Sequence, residues 1–251
     1  MSLLTTPAIL LRAHPYSETS QILRFFTEAR GVMGAVARGV RKVGGRRGGA
    51  LSTFAEGVLS VQFKETRDLQ TYRDFSASNP RRGLAQDPIR LAAASVLGEL
   101  ILHHAESEGN PELFWKLGQG LDTMEREGLE LLLPTLLVHL WSLIRELGFA
   151  PLIHECVHCG NPHPGDGLAR FDFGAGGLSC ASCKAEMQGP RLGPIARAQL
   201  GELVGGSAPP DLVRPRAHLR LASDFITYHI SGGTPLRSMA VLADLTKSSH
   251  A

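Results

Sequence analysis

The hydrophobic residues of positions 1–79 fall into five short runs, separated by proline, glycine or charged residues. In the clearest run Leu59, Val61 and Phe63 alternate with polar residues, which is typical of a strand that buries one face. The pattern predicts five β-strands, within AILLRAHPY, TSQILRFFTEA, GVMGAVARG, GVLSVQFKE and LQTYRDFSA. Five strands in so short a segment are the size of a small barrel or sandwich, and the OB-fold is the barrel with that number of strands.

Further along the chain, hydrophobic residues recur at helical spacing. Asp87-Pro88 and Asn110-Pro111 each provide an N-cap followed by a first-turn proline, so each predicts the start of a helix. Because proline is tolerated only in the first turn, the third helix is expected to begin near Pro134, and Gly148 ends it. Three more helices are predicted within GPIARAQLGELV, RAHLRLASDFITYHISG and PLRSMAVLADL.

These patterns predict an α+β protein in four segments. Residues 1–79 form an OB-fold domain, and residues 80–150 and 191–251 form two parts of a helical domain. Residues 151–190 are an insertion that carries all four cysteines. The longest apolar stretch, LELLLPTLLVHLWSLI, is too short and too interrupted for a membrane span. The first residues also lack the pattern of a signal peptide, so we expect a cytoplasmic protein with no membrane partner.

The cysteines lie in two Cys-x2-Cys pairs separated by twenty residues, Cys156 with Cys159 and Cys180 with Cys183. Two residues between thiolates let both sulfurs face one point, and two such pairs complete a tetrahedral structural zinc site. Gly160 suits the sharp turn after the first pair, and LARFDF followed by GAGG predicts a short hairpin. The spacing therefore predicts a zinc-ribbon-like finger that holds one structural Zn²⁺.

Four other interpretations of these residues are weaker. Disulfides do not suit a chain without an export signal, and a redox site needs only one pair. A catalytic zinc needs an open coordination position, which four thiolates do not leave. His104-Ala105-Glu106 followed by a Cys-x2-Cys pair is similar to a zinc-deaminase signature, but Glu155 stands where that signature has proline. His154, His158 and His163 are predicted not to be ligands.

Charge is distributed unevenly, although the net charge is only +2. Residues 1–79 hold eleven Lys or Arg against six Asp or Glu. Within them the basic loop RGVRKVGGRRGG, residues 38–49, has five cations, five glycines and no acidic residue: Arg38, Arg41, Lys42, Arg46 and Arg47. Such a loop can simply keep the protein soluble, but cations beside flexible glycines also suit close contact with phosphates. Arg12, Arg24 and Lys64 on neighbouring predicted strands extend this basic surface, so residues 1–79 are predicted to be a nucleic-acid-binding domain whose cations contact DNA phosphates.

Two further features bear on the ligand. The chain contains no phosphate-binding loop of the G-x-x-x-x-G-K-[ST] type, so no nucleotide is expected as a cofactor. The aromatic residues that could stack on bases, Phe25, Phe26, Phe54, Phe63 and Tyr72, could equally face the core. Only one of Phe25 and Phe26 can point inward on a regular strand. We therefore expect affinity for phosphates more than for bases, with little sequence preference.

The run PYSETSQILRFFTEARGVMGAVARGVRK, with the following GALSTFAEGVLSVQF, resembles the N-terminus of the bacterial RecO recombination-mediator family. The resemblance extends over the whole chain: a basic OB-like domain, a helical domain and an inserted cysteine finger. It implies a DNA-repair protein that binds single- and double-stranded DNA and anneals complementary strands. It also implies action on DNA coated with single-strand-binding protein, and loading of RecA together with RecR.

No catalytic set of nucleophile, base and orienting group is visible in the sequence, so a non-enzymatic mediator is expected. A rival hypothesis is a zinc-ribbon RNA-binding or transcription-associated factor, which would prefer RNA through its 2′-hydroxyl groups. A zinc hydrolase or deaminase is a third class, and it predicts fewer than four thiolate ligands.

Overall fold

The computed structural model describes residues 2–39, 51–105, 108–163, 167–183 and 189–248. The chain divides into two compact units, residues 1–126 and residues 127–251. The first unit contains five strands and two α-helices, and the second contains the cysteines and four α-helices of the described chain. The division into four segments made from the sequence stays a prediction.

Five strands of the first unit form a closed barrel in the order β1-β2-β3-β5-β4. All five were predicted, and their bounds are β1 Ser2–Pro15, β2 Gln21–Thr27, β3 Gly31–Ala37, β4 Glu56–Phe63 and β5 Leu69–Asn79. Neighbouring strands are antiparallel except β3 and β5. Strand β1 begins earlier than predicted because its residues 2–9 pair with the whole of β4, which closes the barrel.

The barrel is apolar inside and, on one side, also outside. Leu10, Leu23 and Phe25 are fully buried in its interior, as are Leu59 and Val61. The alternation expected for β4 is thereby confirmed. Phe26 points away from the interior, as strand geometry requires, yet it is also fully buried because it packs against Phe114 of a helix.

The helices of the described chain are α1 Pro88–His104, α2 Pro111–Arg126, α3 Leu132–Glu146, α4 Pro194–Gly205, α5 Pro215–His229 and α6 Arg237–Ser248. Both predicted N-caps are confirmed: Asp87 accepts hydrogen bonds from the amides of Ile89 and Arg90, and Asn110 accepts one from Leu113. Pro134 lies in the first turn of α3, as expected. Within the described residues, every helix is too short or too polar to cross a lipid bilayer.

Arg81 is a buried cation that the sequence patterns did not reveal. Its backbone is left-handed, with φ of 40°, and its side chain is 1% exposed. The guanidinium donates to Glu56 on β4 at 2.5 Å and to Asp122 on α2 at 2.6 Å. It also donates to the carbonyl of Phe54 at 2.9 Å. Arg81 therefore joins the barrel to α2 through paired, charge-assisted hydrogen bonds.

The second unit also carries three short strands, β6 Ala169–Asp172, β7 Gly177–Ser179 and β8 Arg191–Leu192, in the order β7-β6-β8. Strands β6 and β7 form the hairpin predicted between the two cysteine pairs. Strand β8 was not predicted from its two residues. It extends the sheet by pairing with the other edge of β6 and leads directly into α4.

Candidate metal centre and nucleic-acid interface

The four cysteines lie on two tight turns at one end of the β6-β7 hairpin. In the first turn the amide of Gly160 donates to the carbonyl of Cys156 at 2.9 Å, and Gly160 has the positive φ of 69° that this turn requires. In the second turn the amide of Cys183 donates to the carbonyl of Cys180 at 3.2 Å. Each Cys-x2-Cys pair is thereby held with both side chains on one side of its turn.

The sulfur positions fit a tetrahedral metal ion. All four ligand atoms lie within 4.8 Å of one another, and Cys159 and Cys180 are 3.9 Å apart between sulfurs. Zinc–sulfur bonds of about 2.3 Å in a tetrahedron place sulfurs about 3.8 Å apart. Among the described residues, these four cysteines are the group that could hold a metal ion.

The backbone around the cysteines stabilises the thiolate form of Cys156 without a metal ion. Burial opposes ionisation of Cys156, but hydrogen bonds from the backbones of Cys180, His158 and Cys159 outweigh it and lower the pKa to about 5. The thiol of Cys183 hydrogen-bonds with Cys180 and Cys159, and its pKa is raised to about 12. A bound metal must therefore displace protons from the set, and its affinity rises with pH.

The nearby histidines lie outside the sulfur cluster, as expected. The Nε2 atom of His158 is 2.9 Å from a carboxylate oxygen of Asp172, which links the first turn to the end of β6. His154 and His163 line a separate cavity beside α4 with Arg197. None of these histidines belongs to the group of residues that could hold the metal.

The predicted DNA-binding residues are only partly within the described chain. Arg41, Lys42, Arg46 and Arg47 lie outside the described residues. Arg38 directly follows β3, Lys64 directly follows β4, and both are exposed. Arg12 and Arg24 lie on β1 and β2, where the barrel places them side by side.

Arg12 and Arg24 occupy directly opposite positions of the antiparallel β1-β2 pair. Arg12 is exposed and Arg24 is half-buried, and within the described residues neither has an ion-pair partner. The guanidinium of Arg24 lies over Gly34 of β3, where a β-carbon would be 3.2 Å from one of its nitrogens. Like charges directly opposite one another destabilise a sheet, so the pair indicates a surface for an anionic ligand.

The five aromatic residues considered for stacking do not present exposed rings, whereas Tyr16, directly after β1, is 64% exposed. Phe25 and Phe54 are buried, and Phe26 is covered by α2. Phe63 and Tyr72 are partly buried against the barrel interior, and the guanidinium of Arg30 lies 5.1 Å from the centre of the Phe63 ring. Phe25 therefore belongs to the barrel core, Phe26 packs against α2 instead, and Phe63 and Tyr72 are partly buried.

Comparison with known protein families covers nearly the whole chain. Residues 1–81 match the family model described as Recombination protein O N terminal, and residues 85–238 match Recombination protein O C terminal. The chain belongs to the RecO family. The resemblance noted in the sequence is thus confirmed, and the family places the protein in DNA recombination and repair.

Individual RecO relatives align over much of their length. The DNA repair protein RecO of Rubrobacter xylanophilus is 30% identical over 207 residues, covering 81% of this chain and 80% of that protein. The RecO of Desulfatibacillum aliphaticivorans is 29% identical over 257 residues, covering 97% of both chains. The RecO of Synechococcus elongatus is 36% identical over a shorter alignment of 155 residues, covering 61% of this chain and 57% of that protein.

This RecO chain also has an apolar groove that the sequence analysis did not locate. The groove has a volume of about 380 Å³ and lies between α5 and α6, with Leu219, Leu236 and Met239 on its walls. Arg216, Arg220 and Lys247 stand around it. The helical spacing of apolar residues predicted both helices, but only the folded chain shows that part of the seam between them stays open.

Proposed function

We propose that this protein is a non-enzymatic recombination mediator that binds single- and double-stranded DNA and anneals complementary strands. Together with RecR, it would help load RecA onto DNA coated with single-strand-binding protein. Family membership supports this assignment, because the relatives are DNA repair proteins. These partners would place the protein on the nucleoid, in the cytoplasm.

Arg12 and Arg24, which have no ion-pair partner among the described residues, carry the proposal for where DNA binds. A sheet that places two guanidinium groups opposite each other gains stability when an anion lies between them. The exposed Arg38 and Lys64 at the ends of β3 and β4 add positive charge at two other strand ends of the barrel. We assign Arg41, Lys42, Arg46 and Arg47 of the basic loop to the same interface.

We infer that the barrel is an OB-fold, since a closed barrel of five mainly antiparallel strands is that architecture. OB-folds hold single strands in a basic groove with stacking aromatics. In this chain the five candidate stacking rings are buried or partly covered, so we expect the phosphates to supply most of the affinity. Binding of that kind does not depend on base sequence, and it lowers the repulsion between two strands that are to anneal.

We assign one structural Zn²⁺ to Cys156, Cys159, Cys180 and Cys183. The fit of the sulfur spacing to tetrahedral coordination supports this assignment. Four thiolates leave no position for a reacting water, so the metal's contribution is to hold the finger together. The finger stabilises the second unit rather than performing chemistry.

We assign the groove between α5 and α6 to the acidic, apolar tail of single-strand-binding protein. Leu219, Leu236 and Met239 would take its apolar side chains, and the surrounding cations would attract its carboxylates. Arg216 donates to the carbonyl of Thr246, which ties α5 to the end of α6 and fixes this wall of the groove. The surface that meets RecR is not assigned to residues.

The DNA assignment is tested by replacing Arg12 and Arg24 with Ala together. Each phosphate contact on a single strand contributes about 0.7 to the slope of log affinity against log salt, so the slope should fall by up to about 1.4. Equilibrium binding to a mixed-base single strand across a salt series measures this. The matched control replaces Arg82 and Arg126, two exposed arginines outside the barrel, and should leave the slope unchanged. If all three proteins gave the same slope, Arg12 and Arg24 would not contact DNA phosphates.

The groove is tested at Ala240, which lines it and is exposed. Ala240→Glu should weaken binding of a peptide with the acidic tail sequence by about tenfold, because it sets like charges together. Ala240→Lys places a side chain of similar length there and should retain or strengthen binding. Fluorescence anisotropy with a labelled peptide measures both. An equal loss in the two variants would contradict the charge-based recognition, and no loss in either would place the tail elsewhere.

A further inference from the structure

A second cleft lies in the unit that carries the finger, between the turn of the β6-β7 hairpin and the C-terminal end of α5. Its volume is about 430 Å³, within the range of small-ligand sites. The residues that line it are Phe173, Asp224, Thr227, Tyr228, Gly232 and Gly233. It therefore combines two aromatic rings, one carboxylate and a stretch of backbone without side chains.

Tyr228 is the exposed ring of the cleft. It is 59% exposed, yet it is held by its neighbours: its ring centre lies 4.9 Å from that of His229 and 6.4 Å from that of Phe173. Behind Phe173, ring contacts continue through Phe171 to the buried Phe225. The ring of Tyr228 is thus positioned by the core while most of its surface stays available.

The polar group of the cleft is Asp224, one helical turn before Tyr228 and on the same face of α5. Its carboxylate lies 3.9 Å from the guanidinium of Arg220, so its charge is partly balanced already. Both groups of this ion pair are largely exposed, so the carboxylate oxygens can still accept hydrogen bonds from the N–H donors of a ligand. The cleft therefore suits a planar ligand with N–H donors on one edge.

Gly232 and Gly233 form the open side of the cleft. Both have positive φ, 60° and 90°, and the amide of Gly233 donates to the carbonyl of Thr227. A β-carbon at either position would meet nothing within 4 Å, so the backbone here borders open space. A flat ligand can approach this backbone closely and reach the face of Tyr228.

We propose that this cleft binds one unpaired nucleobase of a single strand, with guanine preferred. The base stacks on Tyr228, and Asp224 accepts hydrogen bonds from the N1 and N2 donors of guanine. The inference rests on the proposed binding of single-stranded DNA and adds to it a base-contacting site outside the barrel.

Three single strands of equal length separate stacking from phosphate contact: an abasic deoxyribose-phosphate strand, a thymidine strand, and a thymidine strand with one guanine. Wild-type protein should bind the thymidine strand about 5- to 150-fold more tightly than the abasic strand, the range for stacking one base on one ring. The guanine should add about tenfold through bonds to a charged acceptor. Binding is measured by anisotropy at one fixed salt concentration.

Three variants assign these differences to residues. Tyr228→Ala should reduce binding of both base-bearing strands to the abasic level and leave the abasic strand unaffected, whereas Tyr228→Phe should behave as wild type. Asp224→Asn should abolish only the advantage of guanine over thymidine. Because Tyr228 is largely exposed, its replacement should not unfold the protein, and an unchanged melting temperature verifies this.

The inference is overturned if Tyr228→Ala binds all three strands as wild type does, or if it loses affinity for all three equally. It is also overturned if an arginine-containing peptide binds the wild type but not Tyr228→Ala, while Tyr228→Ala binds DNA as the wild type does. The cleft would then be a peptide-binding site. Failure of the wild type to bind any of the three strands would instead refute the proposed DNA-binding function.

Discussion

Replacing Cys156 with Ser should release the metal and unfold the cysteine finger, while DNA binding by the N-terminal barrel stays largely intact. Cys156 is 1% exposed, and its sulfur accepts a hydrogen bond from the amide of Cys180 at 3.3 Å, so it connects the two turns. The short strands β6, β7 and β8 cannot form a stable sheet alone, and structural zinc contributes about 10–16 kcal/mol of apparent binding free energy in small fingers. With zinc bound as proposed, the free energy that holds the finger together would come mainly from the metal.

Three measurements check this expectation: the metal-to-protein ratio, amide hydrogen exchange over residues 151–190, and the melting temperature. Wild-type protein should hold one zinc per chain, and stripping it should expose the finger amides to exchange. Ser182→Ala changes an exposed residue between Cys180 and Cys183 and should keep the metal. Because the thiols must lose protons to bind, zinc affinity should fall as pH is lowered. A Cys156→Ser protein that retains one zinc and the same melting temperature would contradict a structural site.

Local signals in the sequence were sufficient for most elements of the fold. Asp87-Pro88 and Asn110-Pro111 mark helix starts because the capping side chain and its amide partners lie within three residues of each other. The alternation in β4 identifies its buried face because it is also a local pattern, in which every second residue of a strand points to the same side. The Cys-x2-Cys spacing predicted the sulfur cluster because each pair is organised by its own turn.

Features that depend on distant residues could not be predicted in this way. Arg81 meets Glu56, 25 positions earlier, and Asp122, 41 positions later, and no short pattern links the three. Phe26 was expected to be either inward or available for stacking, but α2 covers it. The groove between α5 and α6 and the cleft beside Tyr228 likewise exist only because separate segments come together.

The second large effect is expected from the basic loop. Replacing Arg38, Arg41, Lys42, Arg46 and Arg47 with Ala should flatten the dependence of DNA binding on salt, because each cation that touches a phosphate releases a counterion. With about 0.7 per contact on single strands, loss of all five contacts lowers the log–log slope by up to about 3.5. Arg38 is the one of these five residues that lies within the described chain. It is exposed and directly follows β3, so the first cation of the loop lies at the surface of the barrel.

A matched control must carry the same change in net charge. A variant with five exposed arginines replaced outside the barrel serves this purpose: Arg82, Arg126, Arg145, Arg191 and Arg237. Long-range attraction between the protein and DNA falls equally in both variants, whereas direct phosphate contacts are lost only in the loop variant. The difference between the two slopes therefore reports contact rather than overall charge.

The most direct test of DNA binding through the barrel is equilibrium binding of a mixed-base single strand across a salt series. Wild type, the loop variant and the control variant should be measured side by side, with an RNA strand of the same sequence included. We predict a steep slope for wild type and control, a slope lower by up to about 3.5 for the loop variant, and no preference for RNA. Equal slopes for the loop variant and wild type, or tighter binding of RNA, would contradict DNA binding through the barrel and its basic loop.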